Sequence, residues 1–126
     1  MTYLLDTDTV SYLYRGQGKA IPTFVSKKPY DITVSAISLA ELRLGAQRKG
    51  SKKINRWLDV CFESVMILPF DKAAAEVFGR VAAKLFKEGR PITLIASQAL
   101  ANKLTLVTHN RKHFSKISGL RIEDWL

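Results

Sequence analysis

A single cysteine, Cys61, leaves no internal disulfide framework and no cysteine-based zinc site to hold this chain together. Acidic residues are scarce: eleven Asp+Glu stand against twenty Lys+Arg, a formal net charge of +9. No apolar stretch approaches the roughly 20 residues that a membrane span needs. No basic region precedes the first apolar run, Tyr3-Leu4-Leu5, so a secretory signal is not expected. Neither a Walker loop nor a dinucleotide fingerprint is present, and there is no internal repeat, linker or low-complexity segment. What remains is 126 residues and 14.2 kDa, enough for one domain, 1–126, and too little for two. With 47% of residues hydrophobic and 10% aromatic, the chain can enclose a core and lacks the composition of disorder. The expectation is a small soluble cytoplasmic protein.

The charge excess points to polyanionic partners, either nucleic acid or an acidic protein segment. Arg48, Lys49, Lys52, Lys53 and Arg56 form one basic cluster; Arg80, Lys84, Lys87 and Arg90 form another at helical spacings. Such patches report phosphate affinity without separating RNA from DNA.

Apolar periodicity alternates between strand and helix along the chain. Tyr3-Leu4-Leu5, Asp31 to Ser35, Val65 to Leu68 and Leu104 to Thr108 read as strands, short and rich in β-branched or aliphatic residues. Helices are expected after a cap at Thr7 or Asp8, over Ala20 to Lys28, from Ser38 to about Gly50, over Lys53 to Glu63, from Asp71 to Gly89, and over Thr93 to Asn102. Ser38 and Glu41 have capping-box spacing. Gly45 lowers helix propensity, and close approach of another helix or a partner would explain it. Phe114, Ile117, Leu120, Ile122 and Trp125 mark an apolar tail. Four strands separated by helices predict an α/β fold with a small, mostly parallel central sheet covered on both faces.

Sites in open parallel sheets form outside the carboxyl ends of strands. Asp6 ends the first strand, where it is either a helix cap or a ligand. Glu41 lies one turn into the helix after the second strand, and Asn110 follows the last, with Thr108 able to add a hydroxyl. Carboxylates and an amide without soft ligands suit hard cations such as Mg²⁺ or Mn²⁺. A divalent ion so held can bind a phosphodiester oxygen and lower the pKa of a water. His109 and His113 invite a general acid–base reading but lie far in sequence from both carboxylates. Cys61, among Leu58, Phe62 and Val65, reads as packing.

At this point a family resemblance emerges. Leu4-Leu5-Asp6-Thr7-Asp8, then Ser35 to Leu42 with Gly45, Leu68-Pro69-Phe70-Asp71, Gly89-Arg90-Pro91-Ile92, Ile95-Ala96, Leu104 to Asn110 and Glu123-Asp124-Trp125 follow one another in order over nearly the whole chain. Together they resemble the PIN-domain toxins of the virulence-associated protein C (VapC) family. The resemblance implies a PIN-like three-layer α/β/α sandwich and a Mg²⁺-dependent endoribonuclease that cuts cellular RNA, often transfer RNA. It implies a homodimer, a cognate VapB-type antitoxin, and contact with operator DNA only through the antitoxin complex. It also implies metal-binding and catalytic roles for Asp6, Glu41 and Asn110.

One departure stands out. The family normally places a further aspartate after the Pro-Ile pair, and here Pro91-Ile92 runs straight into Thr93-Leu94-Ile95. About four residues, that acid among them, are absent by comparison with the family pattern. The intact flanking blocks favour a loop omitted from the sequence as read; an intact mass of 14.2 kDa would mark a true deletion. A true deletion leaves two alternatives open beside the nuclease: a catalytically impaired PIN-fold protein that still binds an antitoxin, or a non-enzymatic basic RNA-binding module.

Overall fold

A computed structural model describes residues 1–87 and 93–126. The strands are β1 (Tyr3–Leu5), β2 (Ile32–Ser35), β3 (Met66–Leu68), β4 (Thr105–Val107) and β5 (Arg121–Glu123). The helices are α1 (Thr7–Arg15), α2 (Ala20–Ser26), α3 (Ala36–Lys49), α4 (Lys52–Cys61), α5 (Lys72–Lys87), α6 (Leu94–Ala101) and α7 (Arg111–Phe114), with a 3₁₀ turn at Pro29–Asp31. All the strands pair in parallel, in the order β3-β2-β1-β4-β5.

The side-chain period of two sends successive residues of each strand into opposite layers. Leu4 and Leu106 meet Phe78, Leu85, Ala96 and Phe114 from α5, α6 and α7 on one face. Leu5, Val34 and Val107 meet Val10, Phe24, Leu42 and Trp57 from α1 to α4 on the other. This is the three-layer α/β/α sandwich expected from the sequence. Leu4 and Leu106 are fully buried, so truncating either to Ala should cost about 2–5 kcal/mol. No helix among the described residues is long and apolar enough to cross a membrane.

The chain begins on the central strand, steps outward through β2 and β3, then returns to β4 on the other side of β1. After β1 it passes to the α1 face; after β4 it passes to the α7 face. The strand order therefore reverses between β1 and β4, and a crevice opens at their carboxyl ends.

Several local expectations need correction. The cap of α1 is Asp6, as one of its two readings has it, and not Thr7 or Asp8: its side chain accepts from the Thr9 N–H at 2.8 Å. The N-cap of α3 is Ser35, which accepts from the Ile37 N–H, so Ser38 and Glu41 form no capping box. Ser38 is instead fully buried one turn further on. A Cβ on Gly45 would meet nothing within 4 Å, so no neighbouring helix of this chain explains that glycine. Part of the apolar tail forms α7 and a fifth strand. The expected stop of α5 at Gly89 lies outside the described residues. Gly50 does end α3, at φ +61°, donating its N–H to the Gln47 carbonyl.

Candidate functional site

Asp6 leaves β1 in extended conformation and stays in the sheet ladder, its N–H donating to the Val107 carbonyl at 3.0 Å. The next residues turn into α1, whose first-turn Thr9 hydroxyl also donates to Val107 O, at 3.1 Å. The start of α1 is thus fastened to the end of β4. Thr108, with no exposed surface, completes the join. Its hydroxyl lies close enough to the Asp6 carboxylate to favour the charged form, and its oxygen accepts from the Asn110 N–H at 3.0 Å. One buried hydroxyl thus sits beside both Asp6 and Asn110.

Burial raises the Asp6 pKa above its ordinary 3.8. Hydrogen bonds from Thr9 and Thr108 oppose the rise, and the nearby Asp8 charge adds to it. Among the described residues no Lys or Arg forms a salt bridge with Asp6.

Glu41 arrives from α3. Its Oε1 accepts from Thr7 Oγ1 at 3.1 Å, and Thr7 Oγ1 also lies 2.9 Å from Ser38 Oγ. A hydroxyl has one proton, so a single ordering satisfies both contacts: Ser38 donates to Thr7, and Thr7 donates to Glu41.

These groups border an open cleft of about 500 Å³. Asp6, Thr7, Asp8, Glu41, Asn110 and His113, together with Thr93, form its polar lining. Ile37, Leu94, Ile95, Leu106 and Phe114 supply its apolar lining. A smaller pocket of about 290 Å³ adjoins it and shares Asp6, Asp8 and Asn110. Tyr12 and His109 close that side, with His109 Nδ1 placed 2.9 Å from Asp124 Oδ2.

Of the residues singled out from the sequence, Asp6, Glu41 and Asn110 come together at the cleft; Thr108 lies beneath it. His113 lines the cleft, and His109 lines only the adjoining pocket. Cys61 is elsewhere, on α4, in an apolar groove with Leu13, Phe24 and Trp57. Burial pushes its thiol up to about 11, in keeping with packing rather than nucleophilic chemistry. Sequence reading missed Thr7 as the link between α1 and Glu41. Its cap-forming residue type drew attention to the local backbone, whereas its partners lie across the fold. The absent family acid would fall between Ile92, outside the described residues, and Thr93. Thr93 itself caps α6, its hydroxyl oxygen accepting from the Ala96 N–H at 3.0 Å.

The cleft's donors are carboxylate, amide and hydroxyl oxygens, the set that hard divalent cations prefer. The half-buried Asp6 carboxylate, with Asp8 beside it and no cationic salt-bridge partner among the described residues, is the kind of group a cation stabilises. Among the described residues no three His, Cys, Asp or Glu are grouped to hold an ion by themselves. Mg²⁺ characteristically uses one or two carboxylates, completing its shell with water and substrate phosphate. The residues present fit a cation bound in that manner.

The sequence matches the PIN-domain family model over residues 3–120. The chain belongs to the PIN-domain family. Ribonuclease VapC1 of Haemophilus influenzae (strain R2866) is 35% identical over 132 positions, covering 99% of this chain and 98% of that protein. The tRNA(fMet)-specific endonuclease VapC of Salmonella typhimurium is 30% identical, with the same coverage. Among solved structures, VapBC2 of Rickettsia felis bound to a promoter DNA fragment matches with a TM-score of 0.86 and 31% identity, over 100% of both chains. DNA-bound VapBC of Salmonella typhimurium matches with a TM-score of 0.91 and 27% identity, over 100% of this chain and 99% of that one. Within the PIN family this is a VapC-type toxin of a toxin–antitoxin system. The alignment with VapC1 spans 132 positions, at least six more than this chain's 126 residues can fill, so the relative carries residues that have no counterpart here.

Proposed function

We propose that this chain acts as one PIN domain and as a divalent-metal-dependent endoribonuclease, the toxin of a pair whose antitoxin is of the VapB type. The observation that carries this reading is the meeting of Asp6, Glu41 and Asn110, from the ends of β1 and β4 and the first turns of α3, in one open cleft. Asp6, Glu41 and Asn110 would hold Mg²⁺ or Mn²⁺. When bound, such an ion polarises a phosphodiester oxygen and acidifies a water for in-line attack.

The chain's own residues do the rest. Thr108 supports the backbone of Asn110 and favours the charged form of Asp6 from below. Thr7 keeps the Glu41 carboxylate turned toward Asp6's helix. The apolar lining at Ile37, Leu94 and Ile95 offers a surface for an unstacked base, which favours single-stranded RNA. The name of the Salmonella relative makes transfer RNA the first substrate to test. The toxin acts as a homodimer, is inhibited by its antitoxin and reaches operator DNA only in that complex. The Rickettsia and Salmonella VapBC structures, bound to DNA, support that partnership.

The test is cleavage of single-stranded RNA by wild type beside Glu41→Gln. The variant should lose at least about 100-fold in kcat, as removal of one charge-stabilising group does elsewhere. Equal rates would remove Glu41 from the site. A second reading rests on the missing positions and on the lack of a three-acid group among the described residues. In that reading the protein binds its antitoxin without cutting RNA, and the wild type alone distinguishes it.

A further inference from the structure

We propose that Arg111 and Lys112 form a phosphate-binding rim that positions the RNA strand at the cleft; the inference rests on the ribonuclease reading above. A cleft edged by Asp6, Asp8 and Glu41 repels the phosphates of its substrate, so cations beside it must offset that repulsion. At least four of the chain's twenty Lys and Arg side chains are held by other groups. Arg43 binds Asn55 and Asp59. Lys27 pairs with Glu123 beneath the rings of Tyr3 and Trp125. Lys72 pairs with Glu76, and Arg121 donates to the Lys103 carbonyl. Arg111 and Lys112 are exposed and form no ion pair with any described residue.

Their placement follows from β4. That strand delivers Asn110 to the cleft, and α7 starts at the next residue. The Cα of Arg111 is therefore about 3.8 Å from that of a cleft residue. Arg111 and Phe114 are one helical turn apart and share a side of α7. Phe114 is buried and lines the cleft. Helical Cα–Cβ bonds lean toward the helix N-terminus, here toward Asn110. The platform is fixed: Phe114 anchors it in the core, and the Ser115 N–H donates to the Arg111 carbonyl at 2.8 Å. Arg offers a planar fork suited to phosphate, and Lys a mobile point charge. In the cluster on α3 and α4, Lys49 lines a separate cavity that shares Thr7 and Glu41 with the cleft but contains neither Asp6 nor Asn110, and Arg48 lies about 10 Å along the helix from Glu41.

The test measures binding of a fluorescent single-stranded RNA across salt concentrations, with chelator present so that no cutting occurs. Arg111→Gln/Lys112→Gln should bind roughly 10-fold more weakly at 0.15 M salt, with a log–log salt slope shallower by about 1.4, at about 0.7 per lost contact to a single strand. Arg111→Lys should keep most of the affinity, and Lys49→Gln/Lys52→Gln should match wild type. Unchanged Tm values would show that the variants are folded. Wild-type affinity and slope in the rim variant would overturn the proposal and leave the rim to an acidic protein partner. Loss confined to the Lys49/Lys52 variant would overturn it by routing RNA along α3 and α4. Wild type that binds RNA but never cuts it with metal would sink the ribonuclease reading alone; wild type that does not bind RNA would sink both.

Discussion

Thr7 and Glu41 are 34 positions apart in sequence, yet Thr7 Oγ1 donates a hydrogen bond to Glu41 Oε1 at 3.1 Å. The bond ties the first residue of α1 to the second turn of α3, and the acid delivered by the β2–α3 segment borders the same cleft as the acid delivered by β1. Thr7→Val keeps the shape and removes the donor. We expect a fall in kcat of about 10-fold, within the range for groups that orient a metal ligand, and a loss of stability of about 1 kcal/mol. Thr7→Ser should restore the rate. A Thr7→Val enzyme with wild-type kcat would show that Glu41 needs no such partner.

Asp6 should be a stability cost as well as a site residue. Its pKa in the fold is raised above 3.8, chiefly by burial. In the window between the two values the native state holds more protons than the unfolded chain. Stability therefore falls as pH rises through that window and stays lower above it. Asp6→Asn keeps a capping side chain and removes the charge. With chelator present, the variant should melt above wild type at pH 7, and the gap should close as pH drops below 3.8. Melting curves across pH decide it; a variant less stable than wild type at pH 7 contradicts the burial account.

Gln98 has no exposed surface and joins three elements. Its Oε1 accepts from Ser35 Oγ, while its Nε2 donates to the Leu68 and Pro69 carbonyls at 3.2 and 3.1 Å. It thereby ties the ends of β2 and β3 to α6, behind the cleft. Gln98→Leu fills the space but strands those partners, and should cost about 1–3 kcal/mol. Chemical denaturation measures this directly, and a variant as stable as wild type would mean that the partners find other bonds.

Much of this architecture was legible in the sequence for a physical reason: both faces of the sheet are covered. Leu4-Leu5 and Leu106-Val107 read as apolar runs because each strand feeds two buried layers, while Ile32-Thr33-Val34 was legible from its alternation and β-branched residues. The strand-end rule then directed attention to Asp6 and Asn110. The missed features depend on partners distant in sequence. Asp6, Thr7 and Asp8 are all cap-forming types, and the choice of Asp6 follows from its N–H pairing with Val107, a contact across the sheet. Ser38 and Glu41 have the right spacing for a capping box, but Ser35 starts the helix three residues earlier. The edge strand β5 buries too little of Arg121-Ile122-Glu123 for alternation to stand out.

The most direct measurement is cleavage of a total transfer-RNA pool by protein of verified intact mass, with Mg²⁺, with Mn²⁺ and with chelator, beside Asp6→Ala. The account predicts cuts that need the metal and vanish in Asp6→Ala. Cuts that persist with chelator or in the variant, or none from wild type under any condition, would contradict it.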